Sequence, residues 1–207
     1  MGVRHTQKAA TREKVVSAAR DLFHEIGYEE TTIRAIAERA GVSVGSVFTT
    51  FSSKADVLSQ VMADRIQPLH DELMRVIPYL RGSTADRLCS LFAVHYEYEC
   101  RRVNLFLAHI AASFSPNLEP TTIPFGQNEL FQTMILDMLR DGVTRGDVRP
   151  DADLTLTLDS LMGVYSWNYR LAARKGADAK TLTDIMDRQI HLLVDGLRHR
   201  PSASMAL

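Results

Sequence analysis

Cysteine is scarce in this chain, two in 207 residues, and there is a single tryptophan. Cys89 and Cys100 stand eleven positions apart in a helical-looking stretch, about three turns. That is too far for a bond within one helix, because bridged Cα atoms lie about 4.4–6.8 Å apart. A disulfide framework is therefore not expected. Two small buried hydrophobes are the simpler reading of the pair, and a redox or metal sensor joining Cys100 to His95 is the sharper alternative. No apolar run approaches the roughly 20 residues of a membrane span, and the opening MGVRHTQKAATREK lacks the apolar core of a signal peptide. The expectation is a soluble cytoplasmic protein with no membrane partner. Catalytic signatures are missing too: no glycine-rich phosphate loop, HExxH, GxSxG or clustered cysteine site is present. His24 and Glu25 are helix neighbours rather than a catalytic arrangement, and His95 and His109 have no close third group. Neither an enzyme, a metal nor a cofactor is expected.

What is present is a chain with 45% hydrophobic residues, enough to fill a sizeable core. Net charge is -1, but the charge is unevenly placed. Residues 1–54 hold eight basic against six acidic side chains, and residues 1–20 set Arg4, Lys8, Arg12, Lys14 and Arg20 against Glu13 alone. A basic end on a mildly acidic body fits a protein that touches phosphate with one end.

Apolar spacing of three and four runs through most of the chain, and about nine helices with no strand are expected. Residues 1–10 read as a flexible basic arm. A first helix is predicted over 11–26, with Val15, Ala19, Leu22, Phe23 and Ile26 inward and Gly27 ending it. Thr31 or Thr32 caps a short second helix reaching about Arg39, and Gly41 makes a tight turn. Ser43 caps a third helix over roughly 44–50, with Val47 and then Phe51 inward. Ser53 and Asp56 form a possible capping box for a fourth helix, which Pro68 is expected to bend or interrupt. Residues 84–112 read as one long or two shorter helices, 113–125 as a proline-rich loop, and 126–142, 151–174 and 178–198 as helices. The domain division expected is 11–53, then 54–200, with a short tail over 201–207.

Thr31 to Lys54, TTIRAIAERAGVSVGSVFTTFSSK, is the most informative segment. A capped helix, a glycine turn and a short second helix make a helix-turn-helix, whose second helix reads base edges in a DNA major groove. Val44, Ser46, Phe48 and Thr49 face outward in this reading. Val44 meets a thymine methyl, and Ser46 and Thr49 reach base edges or phosphate. Lys54 and the amides of the following helix hold a phosphate.

From about Arg12 to Leu58 the sequence resembles the TetR-type (TetR/AcrR) family of transcriptional regulators. The resemblance rests on Ala18-Ala19, Leu22-Phe23, Gly27-Tyr28, Thr31-Thr32, Ile36-Ala37, Ala40-Gly41-Val42-Ser43, Gly45, Val47-Phe48, Phe51 and Lys54. It implies an all-α fold: a three-helix DNA-binding domain followed by a larger helical domain for effector binding and dimerisation. It also implies that Thr32 contacts phosphate, that Arg34 sits where a base is sometimes read, and that Val44, Gly45, Ser46, Phe48, Thr49 and Thr50 form the recognition helix. Lys54 matches a phosphate contact of the fourth helix. Phe48 stands where tyrosine is usual, Thr50 where histidine is common, and Val44 where a polar or basic residue is frequent. The recognition helix is left uncharged, which places much of the affinity on Lys54, Arg34 and the basic arm.

The resemblance further implies a ligand cavity within the C-terminal bundle. Its candidate lining is Phe92, His95, Tyr96, Glu99, Phe106, His109, Phe131, Met134, Tyr165, Trp167 and Tyr169, aromatic and amphipathic groups suited to a small hydrophobic or aromatic effector. A cationic lipophile meeting Glu99, or an acyl or aromatic acid meeting Arg101 or Arg102, both remain open. The last two long helices are implied to make a homodimer, with Leu182, Ile185, Met186, Ile190, Leu193, Val194 and Leu197 as apolar positions, and with Trp167 as an interface anchor or a pocket wall. The function expected is a ligand-responsive repressor released from a palindromic double-stranded DNA operator by a small-molecule effector. An activator on the same scaffold, or a regulator without a small ligand, is the alternative.

Overall fold

A computed structural model describes residues 2–114 and 129–197, and side chains from residue 7 onward. Among the described residues there are nine α-helices, one 3-10 turn and no strand. In chain order they are α1 (Gly2–Glu25), α2 (Ile33–Ala40), α3 (Val44–Thr50), α4 (Lys54–Val76), the 3-10 turn Ile77–Tyr79, α5 (Thr84–Cys100), α6 (Val103–Ser113), α7 (Glu129–Arg145), α8 (Leu154–Lys175) and α9 (Ala179–Asp195). None of these helices is long and apolar enough to cross a membrane. The proline-rich stretch over 115–125 and the tail lie outside the described residues.

The chain divides into two compact units, one formed by residues up to Asp71 together with the segment from Arg102, the other by Glu72–Arg101 together with the chain from Glu129. The first unit thus keeps most of α4, past the boundary at 53/54 read from the sequence. Two side-chain ties explain this: Arg12 of α1 donates to Gln60, and Arg20 pairs with Asp64. Val57, Leu58 and Val61 of α4 are fully buried.

Three local expectations are corrected. Helix α1 begins at Gly2, so residues 2–10 are helical rather than an arm without structure. Gln7, Lys8, Ala9 and Ala10 are good helix formers, and Thr11, expected as a cap, donates to the Gln7 carbonyl one turn back. Helix α4 runs through Pro68; buried Ile66, His70 and Leu73 on either side offset the backbone bond that the ring removes. Ile26, placed on the inner stripe of α1, is 49% exposed, while Val15, Ala19, Leu22 and Phe23 are buried as expected.

In the second unit α5 packs along α9, α8 along α9, and α7 against α5 and α8. The core side of α9 is one strict stripe, Leu182, Met186, Ile190 and Val194. Helix α5 opens with a full capping box, in which Ser83 accepts from the Asp86 amide and Asp86 accepts from the Ser83 amide, two orphan donors satisfied reciprocally.

Candidate functional site

Helices α2 and α3 are joined as the sequence predicts, and each junction has a cap. Thr32 accepts from the Ala35 amide at 3.1 Å. Gly41 takes the left-handed conformation at φ 66°, which costs glycine little, and the Val42 amide then reaches back to the Ala37 carbonyl. Ser43 accepts from the Ser46 amide at 3.0 Å. These bonds hold a seven-residue helix of poor intrinsic propensity against buried Ile36, Ala37, Val47 and Phe51. The expected Ser53–Asp56 box is half formed: Ser53 accepts from the Asp56 amide, but the Asp56 carboxylate turns to the amide and hydroxyl of Ser52.

The outward surface of this unit is chemically uneven. Thr32, Arg34, Ser43, Val44, Gly45, Phe48 and Thr49 are exposed, Ser46 and Thr50 half-buried, and Lys8 exposed on α1. Arg4 lies in the first turns of α1, its side chain outside the described residues. Arg12, not singled out from the sequence, stands with its guanidinium 4.9 Å over the Phe51 ring; only the fold brings α1 beside the end of α3.

Lys54 is tied within its own unit. Its ammonium donates to the backbone carbonyls of Tyr28 at 2.8 Å, Glu29 at 3.2 Å and Thr31 at 3.0 Å, and sits 4.2 Å over the Tyr28 ring. An ammonium has three donors, and all three close the corner between α1 and α2. The charge is therefore turned into the domain, where it holds the entry to α2.

In the second unit, α5, α7 and α8 bring Phe92, His95, Tyr96, Phe131, Tyr165 and Tyr169 into ring contact. His95 stacks on Phe131 at 3.8 Å, Phe92 meets Phe131 at 5.5 Å and Tyr165 at 5.3 Å, and Tyr96 lies 4.9 Å from Tyr165 and 5.2 Å from Tyr169. Glu99 and Met134 are buried on the same helices. A polar chain threads the cluster. Tyr96 donates to the Tyr165 carbonyl, Tyr165 and Tyr169 share a hydroxyl bond of 3.1 Å, and Asn168 donates to the Tyr96 hydroxyl and to Gln189. Burial raises the phenols of Tyr96 and Tyr169. Asn168 and Gln189 were missed from the sequence; a polar side chain beside Tyr169 in an otherwise apolar helical register was the available signal.

The remaining members of the expected lining are distributed as follows. Phe106 and His109 belong to the first unit. Trp167 is 62% exposed with the Arg170 guanidinium 4.4 Å over its ring, so it walls no interior of this chain. Two positions separate it from buried Tyr169, about 200° around a helix, which explains the opposite direction. Arg101 and Arg102 are exposed as well. Burial pushes the thiols of Cys89 up to about 12 and of Cys100 up to about 11, a direction that favours the protonated thiol over the reactive thiolate.

Comparison with known proteins places these features. Residues 15–61 match the family model described as bacterial regulatory proteins, tetR family. Over 152 residues the chain is 28% identical to the transcriptional repressor KstR2 of Mycolicibacterium smegmatis, covering 73% of this chain and 74% of that protein. The crystal structure of Thermus thermophilus FadR, a TetR family transcriptional repressor in complex with lauroyl-CoA, superposes with a TM-score of 0.76 at 26% identity, covering 93% of this chain and 98% of that one. Bacillus subtilis FadR in complex with stearoyl-CoA shares the fold at 19% identity and a TM-score of 0.67, covering 90% and 99%. Residues 15–61, which contain the capped helix pair, thus match the tetR family of bacterial regulatory proteins, and the all-α architecture is that of TetR family transcriptional regulators along nearly the whole length.

Proposed function

We propose that the protein is a repressor that leaves a roughly palindromic operator when a small, largely apolar effector enters its second unit. The observation that carries the reading is the buried aromatic cluster of α5, α7 and α8, mostly apolar rings with a few hydroxyl and imidazole groups, which matches a small-molecule site in composition. The likeness to a repressor holding lauroyl-CoA supports an acyl chain as the apolar part. Exposed Arg101 suits an acidic end better than it suits a buried one, while buried Glu99 suits a cationic end; the acyl relative favours the first. Phe92, His95, Tyr96, Glu99, Phe131, Met134, Tyr165 and Tyr169 are the proposed effector residues. Thr32, Arg34, Lys8 and the outward positions of α3 are the proposed DNA residues.

The homodimer forms through α8 and α9, where Leu156, Trp167 and Leu192 are exposed. Two-fold symmetry then sets two reading helices about 34–36 Å apart, one turn of DNA. The ligand acts by preferring the dimer geometry that does not fit successive grooves.

Fluorescence anisotropy on DNA from upstream of the gene, at fixed salt, tests this. Selective binding weakened by lauroyl-CoA or stearoyl-CoA, the esters held by the two FadR structures, is expected. Selective binding that no acyl or aromatic compound alters leaves a regulator without a small ligand, and binding that an added compound strengthens leaves an activator or a co-repressed system.

A further inference from the structure

A base pair in the major groove can be read by hydrogen bonds to its donors and acceptors, or by apolar contact with the thymine methyl. The bidentate readers are Arg, Lys, Asn and Gln. From Val42 to Ser53 the chain has none of these, and no acidic residue or histidine either. The hydroxyl groups of α3 are engaged in bonds along the helix itself. Thr49 donates to the Gly45 carbonyl at 2.8 Å and Thr50 to the Ser46 carbonyl at 3.2 Å. Ser43 and Ser46 bond each other at 2.8 Å, and Ser43 also accepts the Ser46 amide. Beside these exposed or half-buried hydroxyls the helix shows two large apolar groups. Val44 is 38% and Phe48 54% exposed, and they stand one turn apart on the same face. Two apolar groups one turn apart on a short helix make a small apolar patch open to solvent, and the Phe48 phenyl ring carries no donor for phosphate.

We infer that this protein selects its operator through thymine C5-methyl groups, with Val44 and Phe48 as the specificity-determining residues. The inference rests on the DNA-reading role of α3 proposed above and names the base chemistry it reads. A methyl carbon moved from water into contact with Val44 or Phe48 strengthens binding about three- to five-fold per site, from about 0.8 kcal/mol per buried carbon. Symmetry doubles the free energy in a palindrome.

The test alters the DNA and leaves the protein intact. The full-length dimer first selects its operator from random duplexes. Each thymine is then replaced, one pair of symmetry mates at a time, by deoxyuridine, which lacks only the methyl. The expected result is a loss of about ten-fold or more at one or two positions per half-site, with that sensitivity abolished by Val44→Ala at one position and Phe48→Ala at the other. Both side chains are exposed, and circular dichroism checks that the variants stay folded. A selected operator whose affinity is unchanged by deoxyuridine at every position overturns the inference while keeping the repressor reading. So does a half-site that depends on a guanine through Arg34, shown by Arg34→Ala. Failure to select any sequence overturns both.

Discussion

Lys54 is a single positive charge with three protons, and the corner between α1 and α2 takes all three. Lys54→Met removes the donor but keeps much of the apolar stem, leaving carbonyls of Tyr28, Glu29 and Thr31 short of a partner. A loss of about 1–3 kcal/mol is expected, read as a lower melting temperature, with the slope of log affinity against log salt unchanged. Arg34→Ala, from an exposed position, is expected to behave the other way, reducing that slope by about 1 per protomer at constant melting temperature. A second residue-scale prediction concerns pH. Burial holds the His70 imidazole down to about 4, and burial together with the Arg65 charge holds His109 down to about 4. The unfolded chain binds those protons near pH 6.5, whereas the folded chain refuses them until about 4. Stability present above about pH 6.5 is therefore lost as pH falls toward 4, by roughly 1–2 kcal/mol per histidine at pH 5. Urea midpoints at pH 7 and pH 5 measure it. His109→Gln should shrink the difference by about half; a difference of the same size in the variant would assign the protons elsewhere.

At the scale of single helices, glycine separates propensity from packing. Gly142 lies inside α7, where alanine is worth about 1 kcal/mol in helix propensity. A Cβ there would stand 2.2 Å from Thr84 Oγ1 and 3.0 Å from Val148 Cγ2. Thr84 is not free to withdraw, since its amide and hydroxyl both donate to Asp147 and Arg145 donates to its oxygen. Overpacking of about 1–3 kcal/mol wins, so Gly142→Ala is expected to lower the urea midpoint. Adding Thr84→Ser, which drops a methyl, is expected to recover little, because the hydroxyl is the obstacle. Element boundaries show the same contest. The second and third helices were legible because Thr32, Gly41 and Ser43 act on their own neighbours. The start of α1 and the passage of α4 through Pro68 were not legible, because packing on both sides of a weak local signal decides them.

For the whole molecule, the proposed dimer gives the sharpest expectation. Leu156 and Trp167 are eleven positions apart on α8 and so lie on one face, and both are more than 60% exposed. A buried tryptophan anchor is worth about 2 kcal/mol or more when truncated. Trp167→Ala is expected to weaken the dimer by about thirty-fold or more, measured by sedimentation velocity, with helical content unchanged; an unaffected dimer would move the seam off this face. What the amino-acid order determined alone was local and periodic: an all-helical chain, the capped helix pair, an uncharged reading helix, and the stripe of α9. These follow from caps and from spacings of three and four, which act within a turn or two. Tertiary structure alone decided that Lys54 ties the α1–α2 corner, that Tyr165 and Tyr169 join Phe92 while Trp167 faces out, and that Asn168 bridges Tyr96 to Gln189. Each of these depends on groups far apart in the chain meeting in one place, where a charge or hydroxyl without a partner costs more than any local preference supplies.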